Sequence, residues 1–598
     1  MRTLGRSFFA VVTAALLTSL GAPAVADHTD PRTPLAPTNG STADGIVRGA
    51  GTWTHLDNFP GGASPALTGG GTDLEFFTPA GSKDVYGTFG TLGQDEVGSI
   101  GQRIIQLTRR GRVLPRWVAD HGSAHCATEN TSITGLQHDS QIAQQNGVTL
   151  LTDTTDATGR CHDKPGGGIE IVDVTKIADP EFAPREAHLV RFAGNSHTNT
   201  VDGQRPWIVY NSAAEFGTPI IRNWIDVMDI RSCFGSDSWS LDERRAECRP
   251  QVYRIPFQPE WTQQRDQDTG KLEPGSATCH DITYSRQRLY CAALNATLII
   301  DVSGLVDRQG NIKGQAFPCP VVDGTRTGAK VTDCSKMEAD RTEQATGWRF
   351  LGTFQHPGRD CGAEENVRSC NTNLQVRSDD GVSVAHEADP TPDRRFMFVT
   401  DERGGGVVPP GSSCAPGIEN PYGNGGAHAF DISDPSEIVY ATTPTGQKAV
   451  YISDAVVPAP TFCDVHVIEQ IPGEQRLIAA YYSQGIKIVD YFVDRNGDLQ
   501  FKERSSFTLP NTNAWAAEDF KIRENADGTR TYFIAIDDIH RGIDVVSWRG
   551  RPNPVGAKPP AGSGTATMNA GLAGLSVLVL AGAAAYRRRR QHLVDDEA

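Results

Sequence analysis

The amino-acid sequence predicts an all-β fold, a β-propeller of seven four-stranded blades whose ring is closed by an N-terminal strand. Three observations predict it. An apolar strand pattern containing an aspartate recurs at uneven intervals through the 598 residues, another strand precedes each copy, and a segment with a polar start precedes that strand. Repetition of one antiparallel four-stranded unit is typical of propellers. Six or eight blades are the alternatives.

The recurring pattern is interpreted as the third strand of each blade. Alternating apolar residues and β-branched side chains favour strands over helices. The six copies are GIEIVDVT (168–175), WIDVMDIR (224–231), ATLIIDVS (296–303), GAHAFDIS (426–433), GIKIVDYF (485–492) and the weaker GIDVVSW (542–548).

A seventh blade is predicted ahead of these copies, beginning with the strand TDLEFF at 72–77. The last blade, from Asp519, lacks a fourth strand before the chain becomes rich in proline and glycine at Arg551. We expect the segment IVRGAGTWTHLDNF, residues 46–59, to supply that strand. Such a closure joins the two ends of the ring and removes an open sheet edge.

Both ends of the chain carry targeting patterns. Two arginines, an apolar core and small residues before Asp27 predict a secretory signal peptide. Near the other end, an uncharged apolar segment is followed by Arg587–Arg590. A segment of about 20 apolar residues can span a bilayer, and the arginines place the short tail inside. The predicted location is therefore the cell membrane, with one span and the N-terminal ectodomain outside.

The predicted organisation follows from these patterns. Its parts are a signal peptide (1–26), a flexible N-terminal segment (27–45), a propeller ectodomain (46–552), a Pro/Gly linker (553–565), a transmembrane helix (566–586) and a cytoplasmic tail (587–598).

The ectodomain is expected to carry disulfide bonds. It lies in an oxidising compartment and the chain has 12 cysteines, an even number without a C-x-x-C pair. Placing the cysteines on the loops of the predicted blades brings them together in pairs. These pairs are Cys126–Cys161, Cys233–Cys248, Cys279–Cys291, Cys319–Cys334, Cys361–Cys370 and Cys414–Cys463.

Histidines open the first strand of most blades, and an aspartate takes that place in the last. The first strand lines the central channel, so these residues are the candidate channel or ligand-binding residues. They are His138, His197, His280, His386, His466 and Asp519. Three interpretations stay open: a hydrogen-bonding role that locks each blade, a transition-metal site of unknown metal, and pH-dependent partner binding.

The strands IEIVD, LIID and IKIVD, with the histidine that opens each blade, resemble the LVIVD-repeat proteins. The resemblance covers roughly residues 130–550 and implies an extracellular β-propeller, without implying one activity.

The sequence favours a cell-surface β-propeller that acts as a scaffold for a ligand or protein through a histidine-rich face. An extracellular protein or a glycan is the expected partner class. The net charge of −16 argues against a nucleic-acid partner, because an acidic chain repels phosphates. The sequence shows no recognisable set of acid, base or nucleophilic residues, which disfavours a catalytic function. The alternative is a metal-dependent extracellular enzyme, oxidoreductase- or hydrolase-like, with a histidine-lined site at the propeller axis.

Overall fold

The computed structural model describes most of the predicted propeller. The described residues are 45–59, 71–79, 82–91, 102–118, 136–156, 167–179, 182, 184–194, 196–212, 222–262, 264–265, 272–273, 278–324, 328–336, 342–356, 382, 384–402, 425–453 and 464–557.

Two short strands at the N-terminal end of the described chain precede the blades, β1 (Ile46–Gly49) and β2 (Thr52–Phe59). The first two blades follow in chain order. Their strands are β3 (Gly71–Phe77), β4 (Val85–Thr91), β5 (Arg103–Leu107) and β6 (Val113–Val118), then β7 (Leu136–Gln145), β8 (Val148–Asp156), β9 (Gly168–Asp173) and β10 (Arg185–Phe192).

Blade three holds two short helices between its third and fourth strands, and a small hairpin follows it. These elements are β11 (Asn199–Val201), β12 (Ile208–Asn211), β13 (Trp224–Asp229), α1 (Arg231–Phe234), α2 (Leu241–Glu247), β14 (Gln251–Pro256), β15 (Gln264–Arg265) and β16 (Leu272–Glu273). Helix α2 begins with a capping box, in which the Ser240 side chain and the Glu243 side chain each bond the other's backbone N–H.

Blade four carries a two-stranded insertion, and blade five has two short outer strands. The strands are β17 (Asp281–Ser285), β18 (Arg288–Ala292), β19 (Ala296–Asp301), β20 (Val321–Asp323), β21 (Lys330–Cys334) and β22 (Arg349–Gln355), then β23 (Ala385–Pro390), β24 (Phe396–Asp401), β25 (Ala427–Asp431), β26 (Val439–Tyr440) and β27 (Val450–Tyr451).

The last two blades complete the ring. These are β28 (Ile468–Gln470), β29 (Arg476–Ala480), β30 (Ile486–Val493) and β31 (Leu499–Thr508), then β32 (Ala514–Glu524), β33 (Arg530–Asp538) and β34 (Gly542–Gly550).

The seven predicted blades are confirmed, and so is the recurring third strand. The six copies of the pattern form β9, β13, β19, β25, β30 and β34. All six residues of β9 and of β19 are buried, because both faces of a blade pack against neighbouring blades. Between blades three and four, for example, Tyr210 stacks on Tyr284 with ring centroids 6.0 Å apart. Apolar residues on both sheet faces therefore become core between blades.

The N-terminal segment closes the ring, as predicted, but as two strands rather than one. Strand β2 pairs with β34 and completes blade seven, while β1 pairs with β31 and widens blade six. Gly49 and Gly51 divide the strands at φ values of 84° and 98°. A Cβ atom at Gly51 would lie 2.3 Å from the indole nitrogen of Trp548, so glycine is required at this close approach.

The insertion of blade four forms a strap around the outside of the ring. Strand β21 pairs in parallel with β10 of blade two. On blade three, the N–H of Phe317 donates to the carbonyl of Val252 at 2.8 Å, and that of Ala345 donates to the carbonyl of Arg254 at 2.8 Å. The strap therefore joins the outer edges of blades two, three and four.

Three of the predicted disulfides are confirmed. The bonds Cys233–Cys248, Cys279–Cys291 and Cys319–Cys334 are present, the last within the strap. The predicted pairs Cys126–Cys161, Cys361–Cys370 and Cys414–Cys463 lie outside the described residues.

The predicted signal peptide (1–26) and transmembrane helix (566–586) also lie outside the described residues. Within the part of the chain that the structure describes, no helix is long and apolar enough to cross a membrane.

Candidate functional site: an axial channel with histidines and carboxylates

The first strands of the blades surround a central channel. They contact one another around the ring, β3 with β7 and β32, and β11 with β7 and β17. Blades five and six are linked by the backbone N–H of Ile468, which donates to Glu387 Oε2 at 2.8 Å. The channel encloses a cavity of about 720 Å³. A cavity of this size suits a small molecule or a protruding side chain.

The cavity runs along the inner strands toward one end of the ring. Its wall extends from His386 and His466, at the beginning of their strands, to the turns between first and second strands, where Gln204 is exposed. The sequence placed the binding surface at the other end, on the loops where the histidines begin. The described lining residues of the cavity extend toward the first turns.

Four of the predicted histidines lie side by side in the channel. The ring centroids are 4.3 Å apart for His197 and His280, 4.7 Å for His280 and His386, and 4.0 Å for His386 and His466. All four side chains are buried. The row arises because each blade presents the same strand-opening position to the axis, so that a residue repeated in sequence becomes a contiguous row in space.

The two ends of the predicted set are placed differently. His138 lies in strand β7, and its side chain is outside the described residues. In the last blade Trp515 takes the position next to the histidine row, with its ring 4.1 Å from that of His466. Asp519 lies in the middle of β32 and is buried near Glu469 and Glu474. Strand β32 begins at Ala514, ahead of the aspartate that the sequence assigned to the strand-opening place.

Glu402 joins the histidines, and sequence reasoning missed it. It follows strand β24 and is fully buried. Its Oε2 lies 3.8 Å from His386 Nε2, and its Oε1 lies 3.7 Å from His466 Nε2. The signal was the acidic pair Asp401–Glu402 directly after an apolar second strand, but nothing in the sequence shows that this strand end reaches the axis.

Tyr482 holds Glu402 in place by donating its hydroxyl to Oε1. Tyr482 has a φ of 39°, in the left-handed region that L side chains rarely adopt. Backbone strain of this kind is concentrated at functional sites. Burial raises the pKa of Glu402 well above its ordinary value, while the Tyr482 hydrogen bond lowers it.

The tautomer of His466 follows from its neighbour. Its Nδ1 lies 3.0 Å from the carbonyl oxygen of Trp515. A carbonyl can only accept a hydrogen bond, so Nδ1 carries the proton and a neutral ring presents the lone pair of Nε2 toward Glu402. Further along the row, burial lowers the pKa of His197 to about 3.

Carboxylates dominate the remaining wall of the cavity. Among its described lining residues Arg286 is the one lysine or arginine, against nine acidic residues. The acidic residues are Asp73, Glu75, Asp139, Asp202, Asp281, Glu387, Asp389, Glu469 and Glu518.

Several of these carboxylates connect neighbouring blades. Asp139 accepts a hydrogen bond from the backbone of Asn199 and shares another with Asp73. Burial and the Asp73 charge raise the pKa of Asp139 well above its ordinary range, which favours the protonated form of one carboxyl of the pair. Burial likewise raises the pKa of Asp281 to about 7 and that of Glu387 well above its usual value. The channel therefore concentrates carboxyl groups that are costly to ionise together.

One group of side chains has the geometry of a metal site. His280, His386 and Glu402 each offer one ligand atom, and these atoms lie within 4.8 Å of one another. Two imidazoles and a carboxylate suit Zn, Fe and related divalent metals.

Seven blades around a channel make the chain a β-propeller protein, with a buried histidine–carboxylate cluster at its axis. Among solved structures it is similar to Sqt1 from Chaetomium thermophilum, at 10% identity and a TM-score of 0.34, over 83% of this chain and 86% of that one. It is also similar to the β-propeller domain of Cps50 (Swd1) from Myceliophteria thermophila, at 10% identity and a TM-score of 0.37, over 83% of this chain and 99% of that one.

No protein-family model matches the chain, and no curated protein matches it significantly. The fold assignment rests on the sheets of this chain, and the relationship to LVIVD-repeat proteins stays a prediction.

Proposed function

We propose that this chain is a membrane-anchored extracellular β-propeller that binds a positively charged ligand in its axial channel. The carrying observation is the channel wall, whose described lining residues include nine carboxyl groups and one guanidinium, and among the nine Asp202 is already paired with Arg205. The signal-peptide and transmembrane patterns support the location. The resemblance to LVIVD-repeat proteins supports an extracellular propeller.

A cationic ligand fits this channel for an electrostatic reason. Carboxylates that are close together and removed from water repel one another and lose hydration. An ammonium or guanidinium group placed among them supplies the opposite charge and offsets both costs. Channels lined by one sign of charge also attract ligands of the other sign from a distance. A neutral glycan, the other partner class considered from the sequence, gains nothing from this charge.

Two sources present the same cationic chemistry, a small organic polyamine and a lysine or arginine side chain of a partner protein. Calorimetric titration of the full chain with spermidine and with tetralysine separates them. We expect at least one of the two to bind, with an affinity that falls at high salt because charge interactions are screened. Binding of neither probe, or equal binding of an uncharged analogue, would contradict the proposal.

A matched pair of variants locates the binding. The double variant Glu469→Gln and Glu518→Gln removes two channel charges at nearly constant volume and is expected to weaken probe binding by about tenfold or more, since each charge pair contributes on the order of 1 kcal/mol. The control Asp323→Asn removes an exposed charge in the strap and should leave binding unchanged.

A metal-dependent extracellular enzyme is the second candidate function. The observation that favours it is the meeting of His386, His466 and Glu402 beside the cavity. Its test is turnover of hydrolase and oxidoreductase substrates by the metal-loaded chain. Chelation should abolish such turnover and leave spermidine binding in place.

A further inference from the structure

We propose that His280, His386 and Glu402, with His466 as a further donor, form a site for one divalent transition-metal ion beside the axial cavity. The inference goes beyond the proposed function and does not depend on it, although His386 and His466 belong to the wall of the same cavity. Its residues are distinct from the nine carboxylates that carry the proposal for a cationic ligand.

The separations within the cluster are the first argument. The His386–Glu402 and His466–Glu402 pairs are 3.8 and 3.7 Å apart. Both separations exceed the roughly 3.2 Å of a nitrogen–oxygen hydrogen bond. Both are shorter than about 4.3 Å, twice a typical zinc–nitrogen or zinc–oxygen distance. An ion between these atoms would contact both.

The whole donor set needs little movement to enclose an ion. The ligand atoms of His280, His386 and Glu402 lie within 4.8 Å of one another. Donors that share one ion at about 2.1 Å lie about 3.4 Å apart in a tetrahedral set, so enclosing the ion requires each side chain to shift by less than about an ångström. The three donors come from the beginnings of the first strands of blades four and five and from the end of the second strand of blade five, so rigid elements hold them.

The surrounding groups orient the donors. The Trp515 carbonyl fixes the His466 proton on Nδ1 and leaves Nε2 as the donor atom facing Glu402. The Tyr482 hydroxyl bonds Glu402 Oε1. Metal-binding histidines and carboxylates characteristically have such supporting hydrogen bonds, which set their tautomer and direction.

The donor chemistry selects the class of metal. Imidazole nitrogens with one carboxylate suit Zn²⁺, Co²⁺, Fe²⁺ and Cu²⁺, whereas Ca²⁺ and Mg²⁺ prefer oxygen donors. With three of these protein donors, a tetrahedral ion keeps its fourth position for water or a ligand. A bound ion would therefore meet a molecule held in the channel.

The test uses the full chain, purified without an affinity tag, stripped with a chelator and titrated with CoCl₂. Visible absorption reports cobalt coordination and elemental analysis reports stoichiometry. We expect one Co²⁺ per chain, displaced by one Zn²⁺ and unaffected by Mg²⁺. Absence of stoichiometric Co²⁺ and Zn²⁺ from the wild-type chain would overturn the proposal.

Matched variants assign the ligands. Glu402→Gln removes the anionic donor but can still accept the Tyr482 hydrogen bond, so the fold is expected to persist. We expect its cobalt affinity to fall by more than the roughly 10–100-fold caused by losing a supporting residue. The control His188→Gln changes a buried histidine that bonds Thr332 at the strap and should keep wild-type affinity. Equal cobalt binding by both variants would place the metal elsewhere and overturn the assignment.

Two further measurements keep the result decisive. If Glu402→Gln proves unstable, His386→Asn is the second ligand variant, and Zn²⁺ should raise the unfolding temperature of the wild type but not of either ligand variant. Spermidine titration of the chelator-treated chain tests the cationic-ligand proposal separately, since it involves the channel carboxylates. Absence of metal binding with retained binding of either cationic probe overturns only the metal site, and metal binding with binding of neither spermidine nor tetralysine overturns only the proposed function.

Discussion

Two buried charged clusters in this propeller differ in how far apart their partners lie. Between blades six and seven, Arg476 lies 2.9 Å from Glu474 and 2.7 Å from Asp490, all three with little or no exposure. At the axis, the His386 and His466 nitrogens lie 3.8 and 3.7 Å from Glu402. The first, closed cluster is joined by direct hydrogen bonds between charged groups, whereas the nitrogen–oxygen separations in the second are longer than a hydrogen bond.

The closed cluster is structural in every contact it makes. Glu474 also accepts from Tyr532 at 2.6 Å and from the backbone N–H of Asn553 at 2.7 Å, while Arg476 donates to the carbonyl of Arg551 at 2.9 Å. These bonds tie the end of the last blade to blade six. The comparison teaches that burial and charge alone do not distinguish a metal-binding site from a structural ion-pair cluster, whereas the distance between the charged partners does.

The largest expected effect comes from breaking the closed cluster. Arg476→Met removes the buried guanidinium shared by Glu474 and Asp490 and leaves them only the more exposed Arg530 and Arg504, so we expect a loss of about 3 kcal/mol in the free energy of unfolding. Urea unfolding measures it. Arg549→Met, which breaks an exposed pair with Asp527, is the control and should stay close to wild type. Equal losses in the two variants would show that the closed cluster has no special stabilising role.

A tyrosine hydroxyl in each cluster offers a sharper comparison. Tyr482→Phe removes the bond to Glu402 and is expected to lower cobalt affinity roughly 10–100-fold. Tyr532→Phe removes the bond to Glu474 and is expected to cost about 1.5–3 kcal/mol of stability without changing cobalt affinity. Cobalt titration and urea unfolding of both variants check this. Identical behaviour of the two variants would remove the distinction between the clusters.

The smallest expected effect is a change in the pH dependence of the free energy of unfolding. It concerns a third buried group, in which two carboxyls face each other across strands β8 and β9. Asp153 is paired with Glu170 in register, and burial and the Glu170 charge raise the pKa of Asp153 well above its ordinary value of 3.8. Ser140 and Asp73 are the other groups that act on Asp153. Burial and the neighbouring carboxyl therefore both favour the protonated form of Asp153.

The sign of this dependence follows from proton linkage. The folded chain binds more protons than the unfolded chain between about pH 4 and the raised pKa of Asp153. The free energy of unfolding therefore falls as pH rises through this window and is lowest above it. Asp153→Asn should flatten the loss of stability as pH rises, by at most about 1.4 kcal/mol for each pH unit. Unfolding free energies measured from pH 4 to pH 8 check it. An unchanged slope would show that Asp153 is ionised throughout.

Most of the fold could be predicted from the sequence because a propeller repeats its local strand pattern. The alternation in GIEIVDVT or ATLIIDVS, the histidine ahead of each first strand and the missing last strand were enough to predict seven blades, the closing segment and the disulfides Cys233–Cys248, Cys279–Cys291 and Cys319–Cys334. Each of these depends on periodicity or on cysteines close in sequence.

Other features depend on contacts between distant segments. Strand β21 of the blade-four insertion passes blade three and pairs with β10 of blade two, and no local sequence pattern predicts that pairing. Gly49 and Gly51 divide the closing segment because Trp548, some five hundred residues away, comes within 2.3 Å of a Cβ at Gly51. Trp515, and not the predicted Asp519, lies beside the histidine row because β32 begins at Ala514. Strand propensity alone locates the beginning of a strand poorly.

The histidine row itself could be predicted from the sequence, since one strand position repeated in successive blades must converge on the axis. The groups that surround the histidines could not be predicted in this way. Glu402 joins the row from a second strand, Tyr482 from the following blade and the Trp515 carbonyl from the last one. Ring closure brings these three groups to one point, because residues far apart along a propeller chain become neighbours only where the blades meet at the axis.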